Sequence, residues 1–120
     1  MARLLVHIAT GYENPTRAAL GLLVARTALE AGHTVDLFLA GDAVALLRPA
    51  TLEAAHGIGT GSLREHVDVL AAGGARFHVS GMSSKARGVT AEDLGGLEVT
   101  MAPPSRLVEL VFEADRVLTY

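Results

Sequence analysis

Three observations predict an α/β fold built on a mostly parallel sheet. Short apolar runs alternate with helical patterns along the whole chain. The first two of these runs are joined by a crossover of βαβ length. The first run, Arg3 to Ala9, is almost continuously apolar, as a strand covered on both faces must be. At 120 residues, 50% hydrophobic and 19% charged, the chain suits one domain over residues 1–120. The expected sheet has about five strands in the order βαβααβαβαβ, with helices on both faces.

Arg3 to Ala9 is the expected central strand, and Thr10 to Asn14 follows as a loop. Asn14 or Thr16 is the candidate N-cap of a helix, with Pro15 suited to its first turn. That helix spans Pro15 to Ala31, with Leu20, Leu23, Val24 and Ala28 recurring at helical spacing and Gly32 as its stop. Thr34 to Ala40 is the second strand, in which Asp36 needs a polar neighbour or an exposed end. Asp42 is read as the cap of a short helix through Leu47, limited by Pro49, and Ala50 to His56 as a further helical turn. Gly57 to Ser62 is by composition the most flexible stretch. A helix opens at Gly61 or Ser62 and runs to Ala72, where Gly73 and Gly74 end it.

Arg76 to Val79 has strand length, and the chain leaves the sheet at Ser80. Gly81-Met82-Ser83-Ser84 carries too few apolar groups and too much turn character to continue it, so a loop is predicted there, with helical signals resuming near Lys85. This loop lies at a strand's carboxyl end, where open α/β sheets bind their ligands. Thr90 is the expected N-cap of a short helix, with Asp93 at the capping-box position and Gly95-Gly96 as its close. Leu97 to Met101 is the fourth strand candidate. Pro103-Pro104-Ser105 introduces a helix carrying Leu107, Val108, Leu110 and Val111, and Arg116 to Thr119 is the last strand.

Composition excludes several functions. Ten basic residues against 13 acidic give a net charge of -3 with no Lys/Arg run, so nucleic acid is not an expected partner. No apolar stretch reaches the roughly 18 to 20 residues of a membrane span, and the amino terminus has no signal-peptide pattern. A cytoplasmic protein is expected. The absence of cysteine removes disulfides, thiolate metal sites and cysteine nucleophiles together. The histidines (His7, His33, His56, His66, His78) form no local metal motif, so no metal is expected. Gly57-x-Gly59-x-Gly61 follows a helical stretch where a dinucleotide loop needs a strand, and is read as a connection.

Several stretches together resemble the DsrE/DsrF-like family, which includes the TusD-type sulfur-relay subunits. They are Pro15-Thr16-Arg17-Ala18, Ala31-Gly32-His33, Val35-Asp36-Leu37-Phe38-Leu39, Gly41-Asp42-Ala43-Val44, Gly74, Val79 through Val89, and Ala114-Asp115-Arg116-Val117-Leu118. The resemblance spans almost the whole chain. It implies a single-domain, flavodoxin-like three-layer fold, assembly into homo-trimers, homo-hexamers or hetero-hexamers, and a cytoplasmic role linked to sulfur transfer. Sulfur carriers of the family place a cysteine at the end of the strand before the Arg-Gly loop, and here that position is Ser80. A carrier thiolate attacks sulfur and holds it as a persulfide. Serine cannot form that bond, and methionine thioethers have no ionisable proton, so the chain is not expected to carry persulfide itself, whether Ser80 is native or replaces a cysteine.

The candidate ligand-binding residues are Thr10, Tyr12, Ser80, Met82, Lys85 and Arg87. Ser80 reads either as a hydroxyl nucleophile or as a polar residue satisfying loop backbone. No Gly-x-Ser-x-Gly elbow surrounds it, so a hydrolase would need a histidine from a neighbouring subunit. Arg87 reads either as an anion ligand with Lys85, because a guanidinium offers a fixed fork of donors, or as the partner of Glu92 or Asp93. The loop Thr10 to Thr16 precedes a helix amino terminus, a generic anion site. Tyr12 is its only aromatic residue and a Ser/Thr-rich phosphate loop is missing, so no flavin or other cofactor is expected. The resulting expectation is an oligomeric protein accessory to sulfur metabolism or binding a small anion. A structural subunit of a sulfur relay with a cysteine-bearing partner is the alternative.

Overall fold

The computed structural model describes residues 1–120. Strands β1 (Arg3–Ile8), β2 (Thr34–Leu39), β3 (Arg76–Ser80), β4 (Val99–Ala102) and β5 (Arg116–Thr119) form one sheet in the order β4-β3-β2-β1-β5, and every pairing is parallel. The helices are α1 (Pro15–Glu30), α2 (Pro49–Ala54), α3 (Leu63–Ala72), α4 (Gly81–Ala86) and α5 (Pro104–Glu113), with short 3-10 segments at Gly41–Ala45 and Ala91–Leu94. This is the flavodoxin-like three-layer arrangement.

Strand order explains the layers. From β1 to β4 the sheet grows in one direction, so right-handed crossovers put α1, α2 and α3 on one face. The chain then returns past β1 to the opposite edge, and the same handedness puts α5 on the other face. The two cores are unequal in consequence: 22 buried residues, including Val6, Leu22, Leu37, Leu70 and Val79, fill the first, whereas Leu5, Phe38, Ala102 and Leu110 make the second.

Several local expectations are corrected. In α1 the buried face is Ala18, Ala19, Gly21, Leu22 and Ala25, and Leu20 is 38% exposed. Apolar residues surround this helix almost evenly, so size was a poor guide to its inner face. Small residues face the sheet because the helix lies close to it; a Cβ on Gly21 would stand 3.0 Å from Ile8 Cδ1. Asp42 lies inside the 3-10 segment and caps nothing. The fourth strand runs from Val99 to Ala102, two residues later than expected at its start. Gly57 to Ser62 is tied down by a His56–Ser62 bridge, by Ile58 N–H donating to Thr16 Oγ1 at 3.0 Å, and by His66 Nε2 donating to Thr60 O at 2.7 Å. Asn14, Ser62 and Thr90 cap their helices as expected.

The face under α5 carries a buried charge. The Asp36 carboxylate accepts from Arg76 Nη2 at 2.8 Å, Arg3 Nε at 3.3 Å and His78 Nε2 at 3.2 Å. Arg3 also donates to Glu113 of α5 at 3.3 Å, so one network joins three strands to the helix above them. Burial alone would raise the Asp36 pKa. Hydrogen bonds from His78 and Arg76, the Arg76 charge and the Arg3 hydrogen bond outweigh it and hold the carboxyl well below the usual carboxylate range.

Two predictions follow from this architecture. Leu22→Ala should cost about 2–5 kcal/mol in urea denaturation and Leu20→Ala under about 1 kcal/mol, and the reverse ranking would restore the Leu20 face. Because the folded pKa of Asp36 is depressed, its stabilisation is present above the unfolded value of about 4 and fades as pH falls through and below it. Asp36→Ala should cost about 3 kcal/mol at pH 7, where its partners lose their anion. Melting curves of variant and wild type should converge as pH drops below 4; a constant gap would discount the charge.

Candidate functional site

Three connections meet at the carboxyl edge of the sheet: the loop after β1, the 3-10 segment after β2, and α4 after β3. Gly11 lies so close to the Asp42 carbonyl that a Cβ there would overlap it. Gly41 N–H donates to Ser83 Oγ at 2.9 Å. Arg87 closes the set, with Nε and Nη2 on Asp42 Oδ1 at 3.1 and 3.0 Å and Nη1 donating to Ser83 O at 3.3 Å. The partner of Arg87 is therefore Asp42, and neither Glu92 nor Asp93, which corrects the second sequence reading of this residue. Asp93 instead completes the Thr90 capping box.

Ser80 ends β3 and immediately caps α4, its Oγ accepting from Ser83 N–H at 3.2 Å. The predicted loop at Gly81 to Ser84 is thus a helix. Glycine and serine content argued for a turn, but a serine followed by a chain free to curl is also an N-cap signal, and here the cap decides. Ser80 is 7% exposed, and no histidine is bonded to its hydroxyl. His78, two residues earlier on the same sheet face, has its Nε2 on Asp36. The chain by itself therefore supplies no base to activate this serine.

Two hollows open beside this edge and share Tyr12. An apolar groove of about 610 Å³ runs between Tyr12 and Pro15 on one side and Ala50, Ala54, Ala55 and His56 on the other. A polar cleft of about 340 Å³ is lined by Tyr12, Glu13, Asp42, Ala45, Arg48 and Arg87. Of the residues singled out from sequence, the structure brings Tyr12 and Arg87 together here. Thr10 begins the same loop but lines neither hollow, and Ser80 is buried at the base of α4. Met82, at 69% exposure, and Lys85 project from α4 and line neither hollow.

Sequence reasoning missed Arg48 and Glu13. Arg48 precedes Pro49, which holds it extended at the start of α2 (φ -62°, ψ 133°) and directs it to the edge. That proline rule fixes the backbone at Arg48 but does not mark a site by itself. Arg48 Nη2 donates to Gly88 O at 3.3 Å, and the nearest carboxylate, Asp93, is 4.0 Å away. Glu13 Oε1 accepts from Gly11 N–H at 2.6 Å, which turns this carboxylate onto its own loop. No three His, Asp or Glu side chains are placed to share a metal ion, and no helix is long and apolar enough to cross a membrane.

Fold and edge together define an α/β protein of flavodoxin-like three-layer architecture, with strand order β4-β3-β2-β1-β5, whose connections form a small-molecule-sized hollow at the strands' carboxyl ends. The chain belongs to the DsrE/DsrF-like family, whose model matches residues 2–120; at the level of the family this ties it to sulfur metabolism. Its fold is similar to that of YchN from E. coli (TM-score 0.74, 20% identity, 100% of this chain and 99% of that one). It is equally similar to BT1422 from Bacteroides thetaiotaomicron, a conserved protein of unknown function (0.74, 16% identity, 99% and 95%). MTH1491 from Methanobacterium thermoautotrophicum, also of unknown function, is a third such structure (0.73, 19% identity, 100% of both chains). No curated protein matches the chain.

Ser80→Ala removes the cap of α4 and should lower stability by about 1 kcal/mol. Thermal melts compared with Ser80→Asp, which restores an acceptor, check this; equal loss in both variants would discount the cap.

Proposed function

We propose that this chain is a cytoplasmic, oligomeric DsrE/F-like protein, accessory to sulfur metabolism, that binds a small anionic ligand at its carboxyl-edge cleft and carries no persulfide. The observation behind this reading is Ser80: the position where the family's carriers place a cysteine holds a buried hydroxyl engaged in capping α4, in a chain with no cysteine. The cleft beside it offers Arg48 to an anion, next to an Arg87 that is held by Asp42. Lys85, Met82 and Thr10 stand outside it.

Assembly into homo-trimers or homo-hexamers is supported by apolar surface that the fold leaves open. Val108, Val111 and Phe112 form one flank of α5, with Phe112 85% exposed, and Val117 and Leu118 of the edge strand β5 are also exposed. The α5 flank and Val117, which pairs with Leu5 on the same side of the sheet, make surface of the kind a subunit contact uses, while Leu118 points to the opposite side. The second reading, a structural subunit of a sulfur relay, has the same support and differs only in who covers that face. A hydrolase using Ser80 has no histidine within the chain to support it.

Native mass spectrometry of protein purified gently from its own cells separates these readings. Three or six identical chains, reduced to monomers by Phe112→Asp, are the expected result. A cysteine-bearing chain in the same particle would establish the second reading. Incubation with a sulfane-sulfur donor should add no sulfur mass to the wild-type chain, and a stable adduct would overturn the proposal.

A further inference from the structure

The groove and the cleft share Tyr12 as a lining residue, and its side chain is 64% exposed between them. An exposed aromatic ring beside an alanine-lined wall is unspent apolar surface, and it is larger than a bare anion needs. The polar half has its own asymmetry. Arg87 is satisfied by Asp42, and Glu13 by the Gly11 N–H. Arg48 makes one hydrogen bond, to the Gly88 carbonyl, and its only carboxylate partner, Asp93, stands at 4.0 Å, beyond hydrogen-bond reach. Of the guanidinium donors at the cleft, those of Arg48 are the ones left over.

The charges also limit the ligand. Two arginines and two carboxylates line the cleft. A ligand with one negative charge on Arg48 meets less repulsion from Glu13 and Asp42 than the hydrogen phosphate dianion, the more charged of the two forms of phosphate near neutral pH. An apolar body next to a single anionic head fits both halves at once.

We infer that groove and cleft form one bipartite site for a monoanionic organic acid, its carboxylate or sulfinate on Arg48 and its apolar body between Tyr12 and the Ala50–Ala54 face of α2. This deepens the small-anion reading above and rests on it. Anchoring needs both parts, since charge-assisted hydrogen bonds fix the head and buried apolar area holds the body.

Isothermal titration of the full chain with 4-phenylbutyrate, 4-phenylbutanol, acetate and inorganic phosphate tests this. Phenylbutyrate should bind about tenfold more tightly than the alcohol or acetate, and phosphate should not compete. Arg48→Gln should bring phenylbutyrate down to the level of the alcohol, and Ala54→Trp, at an exposed position that leaves the core intact, should block it. Tyr12→Ala is a second groove variant with no fold role, and melting curves verify that each variant is folded. Equal affinity for acid and alcohol, or no effect of Arg48→Gln, would overturn the inference. If acetate or phosphate binds as tightly as phenylbutyrate and Arg48→Gln abolishes both, the bipartite site fails while the small-anion reading survives. If no anion binds at all, both fall.

Discussion

Asp36 remains charged in the interior because Arg3, Arg76 and His78 converge on it from the strands on either side. A buried carboxylate without such partners costs several kcal/mol, so the arrangement is tolerated in only one register. In that register Asp36 pairs with Leu5 on β1 and Arg76 on β3. A one-residue slip of β2 would turn Asp36 into the larger core, where Val35 and Leu37 now lie, and leave its charge there without Arg3, Arg76 and His78. The charge therefore acts on specificity more than on total stability. The functional edge inherits that register. With β2 and β3 aligned by the Leu39–Val79 pairing, Ser80 ends its strand level with Ala40, just before Gly41, and Ser83 Oγ can accept the Gly41 N–H.

The strand order has a second consequence. Three crossovers in one direction cover one face fully, and a single return crossover leaves α5 alone on the other. The helix is divided accordingly. Arg106 and Glu113 make its polar flank, bonded to each other at 3.4 Å, with Glu113 meeting Arg3 of β1. Val108, Val111 and Phe112 lie on the flank that no other element of the chain reaches. Solvent exposure of a phenylalanine beside an edge strand is a poor end state for a monomer. That physical cost, and not the family resemblance alone, is why self-assembly belongs in the proposed function.

The backbone plan was readable because its signals are local. Alternating apolar runs, glycine stops, and capping residues at Asn14, Ser62 and Thr90 are decided within a few residues of one another. What failed to show depended on distance in sequence. The inner face of α1 could not be picked from a helix apolar on most sides, since the close approach to Ile8 that selects Gly21 and Ala25 belongs to the tertiary fold. Arg87 was visible as an anion ligand or an ion-pair partner, but the carboxylate it pairs with, Asp42, lies 45 residues earlier in the chain. Tyr12 was visible too. Arg48 was hidden, because a lone arginine before a proline carries meaning only once the two hollows exist.

Serine and cysteine at the end of β3 illustrate how one backbone supports two chemistries. A hydroxyl at an N-cap is a good acceptor, and the Ser83 N–H consumes it here, so the side chain stabilises α4 and offers nothing reactive to solvent. A thiol at that position is a weaker acceptor, while the same free N–H groups favour its thiolate, which is the form that takes up sulfur. The resemblance implies that relatives use the position in that second way. In this chain the reactive atom is absent, but the scaffold that would have presented it, from Gly11 through Asp42 to Arg87, is fully assembled. On the reading proposed above, an edge that retains its cleft, its exposed Tyr12 and the Arg48 guanidinium holds a ligand by charge and apolar contact where a thiolate would hold sulfur covalently.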